Sequence, residues 1–477
     1  ACRRRLGELS VDEINFQIQL IKGAIEAKQI KVGSLEIPTE QINVSDTFPS
    51  SDYKLDEVIR IAKQLQQQAI SDQRGYPEWL GIDIGQDQEK FNFGLVGLSL
   101  YGGRCGIALL FAALTHFFKQ QNSDLEFQES LVNDIRGSVA QILDIVKSKD
   151  GFLLFRYLRD QPLGLSGTGG ILLTLQILNQ LEINPIDEEF PNYERVTQRI
   201  IDCLTSERIN KDQECDLISG CAGLIGPLLS IAQDVERKYS LSQKPLDLAI
   251  ICGEHLISQQ MEDGGWLTLR DKKPLTGFSH GVSGIIAALS RLYQLTEDNR
   301  FLTAIQKGLG YERSVFCLEK RNWPDFRSSS EPTKFMNSWC HGAPGIALSR
   351  LCLKQSGIWD EQIATEIEIA LETTAKQDTG VDHLCCGSFG RAAILNLTSD
   401  FDMGDKWDLF AQQIVELSLK RALNQKSYRL FSTLEGEILL PGVFTGMAGI
   451  GLQLLSYSSG KAQRIVAQCL TSGLLLL

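Results

Sequence analysis

Histidine, methionine, basic charge and long apolar runs are what this chain has little of. Only five histidines and four methionines occur in 477 residues. No apolar run approaches the roughly 20 residues needed to cross a bilayer, and the terminal Leu474 to Leu477 is far too short, so no membrane span is expected. Lys and Arg number 47 against 59 Asp and Glu, a net charge of -12. A general nucleic-acid binder needs a basic face, so that class is excluded, whereas a peptide or small-molecule substrate is not. There is no P-loop, no dinucleotide fingerprint, no serine nucleophile elbow and no His-Glu-x-x-His, so no ATP-using chemistry is visible. No secretory signal is legible, and the 12 cysteines lack the regular spacing of a disulfide framework. A reducing cytoplasm is therefore expected, with most thiols acting as small buried apolar groups. The first residue is Ala1 rather than methionine, which reads as a piece of something longer.

What is present is a repeat. The length exceeds an average single domain, and 43% hydrophobic residues suffice for a sizeable core. Two or three domains, or one large repeat architecture, would account for it. Seven Gly-x-x-Gly units each open an apolar run, starting at Gly103, Gly167, Gly220, Gly281, Gly342, Gly387 and Gly446. One such unit means nothing, but seven at a loose period of 45 to 64 residues are the mark of a repeat. The runs after them (170–181, 284–295 and 345–353) are apolar nearly all round, the pattern of buried helices. Between them lie amphipathic stretches, 55–69, 194–204, 246–260, 361–375 and 409–422, which predict surface helices. Strand-like alternation is scarce, with one short hairpin expected over 265–274. The fold class is therefore all-α, an (α/α)7 double barrel or toroid of seven inner and seven outer helices. The glycine pairs would sit at the N-termini of the inner helices, all at one end. Glycine there permits tight turns and close backbone approach. Helix packing alone accounts for most of these glycines.

Residues 1–50 stand outside the repeat. A helix is predicted over 9–27, with Ser10 as N-cap and Glu13 three residues on. Residues 30–51, polar and with two prolines, predict a linker.

Side chains just before each pair should converge on the mouth of the barrel. Three are cysteines: Cys340, in Ser338-Trp339-Cys340-His341-Gly342, and Cys385-Cys386, before Gly387. Three protein ligands with one position open is the arrangement of a catalytic zinc. A lone cysteine pair is more commonly a pair of core thiols. The equivalent placement of Cys340 in its own repeat tips the balance to metal. The other nine cysteines, such as Cys105, Cys203, Cys252 and Cys469, are assigned to the core. His341 competes with Cys386 as a ligand, but neighbours on an extended segment point apart. His383 is a weaker competitor. His280, also just before a glycine pair, is a candidate general acid or base because histidine titrates near neutrality. Asp216, four residues before Gly220, could orient it. Each alone would be an ordinary structural residue, Asp216 most simply a loop or helix-terminal carboxylate.

Taken together these motifs resemble the LanC-like lanthionine cyclases. The resemblance spans residues 51–477. It rests on the seven glycine pairs, Asp216-Leu217-Ile218-Ser219-Gly220, Ser279-His280-Gly281-Val282-Ser283-Gly284, Trp339-Cys340-His341-Gly342-Ala343-Pro344-Gly345 and the second cysteine cluster. It implies an α/α toroid with central zinc. It also implies a cyclase that adds cysteine thiols to dehydroalanine or dehydrobutyrine, making the thioether rings of lanthipeptides. The implied partner is a dehydrated precursor peptide. Residues 1–30, with Arg5-Leu6-Gly7-Glu8-Leu9-Ser10, resemble the tail of the dehydratase half of class II (LanM-type) lanthionine synthetases. The expected further partner is thus a dehydratase domain of the same polypeptide. The family's usual second cluster is Cys-His-Gly, where this chain has Cys385-Cys386-Gly387. That variant resembles a three-cysteine subgroup from marine cyanobacteria whose synthetases process many precursor peptides. Some members carry an arginine just before the Trp-Cys-His motif, where this chain has Met336-Asn337-Ser338.

The implied mechanism has the substrate thiol activated at zinc, which a free thiol of pKa about 8.5 is not at neutral pH. The third thiolate should weaken Lewis acidity and leave the substrate thiolate more nucleophilic. His280, supported by Asp216, would move a proton to or from the reacting groups. Two other readings remain at this point. One is a zinc toroid with other thiol chemistry, such as prenyltransferase-like alkylation, which would call for a basic, aromatic-lined pocket. The other is a non-catalytic toroid that binds peptides or glutathione around structural zinc.

Overall fold

The computed structural model describes residues 14, 17–18, 20–25 and 53–458, less 73, 85–90, 149–150, 184–191, 239–242, 269–272, 328–332, 377–379, 402, 404 and 431–439. The residues described between 14 and 25 are helical; the linker expected over 30–51 lies outside the described residues.

Two kinds of helix alternate. Seven follow the glycine pairs: α2 (Arg104–Gln121), α5 (Thr168–Gln180), α8 (Ala222–Lys238), α10 (Val282–Thr296), α12 (Ala343–Gln355), α14 (Ser388–Leu397) and α16 (Met447–Ser456). They are buried around most of their circumference; in α12 every residue from Ala343 to Leu353 is buried. Seven others are amphipathic and bury one stripe: α1 (Tyr53–Gln68), α3 (Leu125–Lys147), α6 (Tyr193–Cys203), α9 (Lys244–Gln259), α11 (Asn299–Ser314), α13 (Glu361–Lys376) and α15 (Lys406–Gln425). Helix α13, for instance, buries Ile363, Glu366, Ile367, Ala370, Leu371 and Thr374, the 3-4 spacing of one helical face. Short helices α4 (Gly151–Arg159) and α7 (Ser206–Asn210) fill connections.

The inner helices pack side by side in chain order from α2 to α16, and α16 returns to pack on α2. Each is backed by the outer helix that follows it, with one permutation: the last inner helix is backed by α1, the first outer one. The result is an (α/α)7 toroid closed by contacts between distant residues, such as Tyr428 Oη donating to Glu57 Oε1 at 2.9 Å. Buried charge is paired. Arg350 on α12, fully inaccessible, donates to Glu312 on α11 at 2.6 Å and to Glu366 on α13 at 2.7 Å. Removing one partner of such a group strands the other.

Strands form elsewhere than expected. Antiparallel β1 (Ile70–Ser71) pairs with β2 (Pro77–Glu78), and β3 (Leu80–Ile84) with β4 (Phe91–Leu95). The described part of 265–274 is irregular; Trp266 is buried, its indole N–H donating to the Leu256 carbonyl, and Leu267 is exposed.

The glycines explain why the inner helices begin where they do. The chain entering each inner helix folds back over the first turn. A Cβ on Gly284 would overlap the carbonyl oxygen of Phe278, and one on Gly449 that of Val443. Both carbonyls belong to the residue six positions earlier, and only a hydrogen fits between backbone and backbone. Gly449→Ala is therefore expected to lower stability by more than about 2 kcal/mol in thermal or urea unfolding. Gly310→Ala, on an exposed position of α11 with open space around it, should raise stability by about 0.5–1 kcal/mol.

Candidate metal centre at the barrel mouth

All seven glycine-pair loops lie at one end of the barrel, and most are bonded edge to edge through their backbones. Leu165 N–H donates to Leu217 O at 3.0 Å, Leu217 N–H to Ser279 O at 3.2 Å, and Phe278 N–H to Cys340 O at 2.9 Å. Cys340 N–H then donates to Cys385 O at 3.3 Å, Cys385 N–H to Phe444 O at 2.7 Å, and Phe444 N–H to Tyr101 O at 2.9 Å. Residues two places before the first glycine of each pair, namely Tyr101, Leu165, Ile218, Ser279, Cys340, Cys385 and Phe444, thus occupy corresponding positions round the mouth.

This ring brings the three cysteines together. Cys340 Sγ lies 3.3 Å from Cys386 Sγ, and Cys386 Sγ lies 3.4 Å from Cys385 Sγ. All three sulfurs fall within 4.8 Å of one another. Thiolates around tetrahedral zinc, with Zn–S near 2.3 Å, are separated by roughly 3.8 Å, so a small outward adjustment accommodates the ion. The turn that presents both Cys385 and Cys386 is tight: His383 Nδ1 accepts from Cys386 N–H at 3.3 Å and His383 O from Gly387 N–H at 2.9 Å. Hydrogen bonds from Cys385 and Cys386 hold the Cys340 thiol well below the ordinary range, and the contact with Cys340 pushes the other two up. The N-termini of α12 and α14 start within three residues of these sulfurs, an environment that favours thiolate.

Beside them stands a second pair. His280 Nδ1 lies 2.6 Å from Asp216 Oδ2, with the histidine side chain 16% exposed and the aspartate inaccessible. Asp216 is held by two backbone donors to its other oxygen, Ser219 N–H at 2.6 Å and Gly220 N–H at 3.1 Å. The preceding residue, Cys215, takes a left-handed φ of 56° to make the turn, an uncommon conformation for a residue with a Cβ. The carboxylate thus engages His280 through Nδ1.

The competing histidines are engaged differently. His341 is fully buried, its Nδ1 on the Thr276 carbonyl at 3.2 Å, and its ring stacks 6.3 Å from that of His280. Burial and the charge of Arg327 push its pKa down to about 4. His383, whose Nδ1 is occupied by the turn, is likewise pushed down to about 4 by burial. Neither joins the three sulfurs within 4.8 Å.

Three residues were not anticipated from the sequence. Tyr101 Oη donates to Cys385 Sγ at 2.7 Å, and its ring stacks on Phe444 at 5.1 Å. Ser338 Oγ is 3.2 Å from Cys340 Sγ. Arg327 is clamped by Asp325 through Nε at 3.0 Å and Nη2 at 2.8 Å, touches Met336 Sδ, and acts electrostatically on Cys340 and Cys386. Tyr101 was accessible from the repeat register, since it precedes Gly103 by the same two places as Cys340 precedes Gly342. Arg327 lies outside any repeat position.

A second trio, Asp212, Cys215 and His255, also falls within 4.8 Å. Its polar atoms are already engaged. The Asp212 oxygens accept from the N–H groups of Glu214, Cys215 and Cys221, and His255 Nε2 meets the Asp212 carbonyl at 2.8 Å. That cluster braces the loop carrying Asp216.

Among the described residues no helix is long and apolar enough to cross a membrane. Comparison with known proteins adds the following. Residues 94–471 match the family model described as lanthionine synthetase C-like protein. Nisin biosynthesis protein NisC of Lactococcus lactis subsp. lactis is 25% identical over 377 residues, covering 69% of this chain and 82% of that protein. Lacticin 481/lactococcin biosynthesis protein LcnDR2 of the same organism is 23% identical over 226 residues, 43% of this chain and 22% of that much longer protein. Among solved structures, that of nisin cyclase superposes with a TM-score of 0.61 at 18% identity, over 89% of this chain and 98% of that one. At that identity the likeness concerns the fold, and it agrees with the toroid.

Asp216 separates two roles that mutation can resolve. Asp216→Ala leaves the Ser219 and Gly220 N–H groups without their acceptor and is expected to cost about 2–3 kcal/mol in thermal unfolding. Asp216→Asn keeps that acceptor and should lose less than about 1 kcal/mol.

Proposed function

The chain belongs to the lanthionine synthetase C-like family, and from that premise we propose that it is a zinc-dependent peptide cyclase of lanthipeptide biosynthesis. Its substrate is a precursor peptide containing dehydroalanine or dehydrobutyrine together with cysteine, and its product carries (methyl)lanthionine thioether rings. The observation that carries this reading is the convergence of Cys340, Cys385 and Cys386 beside the His280–Asp216 pair.

The three thiols are the proposed zinc ligands. When bound, zinc supplies a fourth position at which a peptide cysteine thiol gives up its proton at neutral pH. The remaining work falls to the chain. The ring of loops holds the three sulfurs together at the mouth of the barrel. Addition of the peptide thiolate to the β-carbon of the dehydroamino acid places negative charge on the adjoining carbonyl as an enolate, which must take a proton at the α-carbon. His280 Nε2 is the proposed carrier of that proton, or acceptor of the one released by the thiol, with Asp216 holding the ring through Nδ1. Buried His341, with its pKa near 4, stays neutral and adds no competing charge.

Two finer statements extend the proposal. The Cys385-Cys386-Gly387 cluster supports placement in a three-cysteine zinc subgroup like that of marine cyanobacterial synthetases. The resemblance of residues 1–30 to a dehydratase tail, and the similarity to a small part of LcnDR2, support a class II arrangement. In it residues 1–50 are the remnant of a dehydratase domain and 51–477 the cyclase, with the dehydratase acting on the same peptide in the cytoplasm.

Metal analysis of the purified chain should find one zinc. Incubation with a dehydrated, cysteine-containing peptide should consume peptide thiol. Cyclisation leaves the mass unchanged, so the thiols are counted with an alkylating probe. Cys386→Ala is expected to lose zinc and cyclisation together, and full metal retention in that variant would refute the ligand set. His280→Ala should keep its zinc while cyclising about 10²–10⁴-fold more slowly.

A further inference from the structure

A dication ringed by three thiolates is already net anionic, and a fourth thiolate from the substrate makes it more so. Such a charge, placed among buried groups, needs compensation from nearby donors and cations. Three groups around the sulfurs meet that need. The Tyr101 hydroxyl is 2.7 Å from Cys385 Sγ, the Ser338 hydroxyl 3.2 Å from Cys340 Sγ, and the Arg327 guanidinium is held by Asp325 on the side of Cys340 and Cys386.

Tyr101 is the most constrained of the three. Its backbone carbonyl accepts the Phe444 N–H at 2.9 Å, and its ring stacks on Phe444 with an interplanar angle of 10°. The next loop bond, Cys385 N–H to Phe444 O at 2.7 Å, fixes the sulfur relative to that same phenylalanine. Donor and acceptor are thus both registered on Phe444. A tyrosine O–H aimed at one sulfur of a metal-ligand trio from a rigid stack serves no packing purpose that phenylalanine would not serve equally well.

We infer that Tyr101 is a positioning residue of the metal centre, whose hydroxyl donates to the Cys385 thiolate and draws charge from it, so that a three-cysteine site retains enough Lewis acidity to bind and activate a peptide thiol. Ser338 acts in the same sense on Cys340, more weakly because its contact is longer, and Arg327, although paired with Asp325, adds an attraction to Cys340 and Cys386. This rests on the reading of Cys340, Cys385 and Cys386 as zinc ligands.

The test replaces zinc by cobalt(II) in the whole chain and records the thiolate-to-cobalt charge-transfer band. A hydrogen bond on a thiolate lowers the energy of its lone pairs, so removing it moves the band to longer wavelength. Tyr101→Phe, which keeps the ring and its stack, is expected to bind one cobalt per chain with the band moved to longer wavelength. Ser338→Ala should give a smaller shift of the same sign. Tyr428→Phe, whose hydroxyl bonds Glu57 away from the centre, should match the parent. A Tyr101→Phe chain that keeps its circular dichroism but loses cobalt would also support the inference, because only one oxygen has been removed. An unshifted band in cobalt-loaded Tyr101→Phe overturns the role of Tyr101 and leaves the cyclase reading intact. A parent chain that takes up no cobalt or zinc overturns both.

Discussion

The hydrogen-bonded ring of loops at the barrel mouth is the constraint on which the rest of this structure depends. Each loop is short and doubles back over the first turn of an inner helix, and six of the seven lend an N–H to the carbonyl of the next loop round. Neither contact tolerates bulk. The second glycine of each pair lets the backbone lie against backbone, and a methyl group there would force the loop off the helix. Because the loops are tied to one another, residues in equivalent positions of different repeats become neighbours. Cys340 and Cys385 are far apart along the chain and adjacent in space for this reason.

The electrostatics follow from that geometry. Seven helix N-termini point toward one mouth, and their dipoles favour negative charge there, while many of their first-turn N–H groups are taken up by the loops folded over them. Three thiols and a carboxylate occupy it. Histidines that would add positive charge are either buried neutral, as His341 and His383 are, or paired with a carboxylate, as His280 is. In the proposed reaction the site separates its tasks. A soft anionic trio suits a metal, and a single partly exposed imidazole suits proton transfer. Arg327, reaching in from the long connection between α11 and α12 and paired with Asp325, acts on these thiols from outside the repeats.

Closure of the toroid shows how little of the connectivity is local. The outer partner of the last inner helix is the first helix of the barrel, so the ring is complete only when residues 53–68 and 447–456 meet. The glycine register made the inner helices legible, and the amphipathic spacing did so for α1, α6, α9, α13 and α15. Helices α3 and α11 carry the same burial stripe and went unassigned, because charged residues and isolated glycines interrupt their apolar rows. The hairpin placed at 265–274 failed for a different reason. Trp266 is buried and its indole N–H bonds the Leu256 carbonyl, while Leu267 is exposed, and such alternation along the chain does not distinguish an irregular loop from a strand.

The chain's own order of residues determined the repeat, the all-α class, the end of the barrel where chemistry belongs, and the candidates Cys340, Cys385, Cys386, His280 and Asp216. These are local patterns of glycine, apolar period and residue type, and they survive in one dimension. Only the tertiary structure decided which of those candidates touch. The His280–Asp216 hydrogen bond, the engagement of His341 by Thr276, the hydroxyl of Tyr101 on Cys385 and the approach of Arg327 all depend on side chains from separate loops meeting at set distances. Such distances are fixed by backbone hydrogen bonds between repeats and by close packing at the mouth, and no spacing along the sequence encodes them.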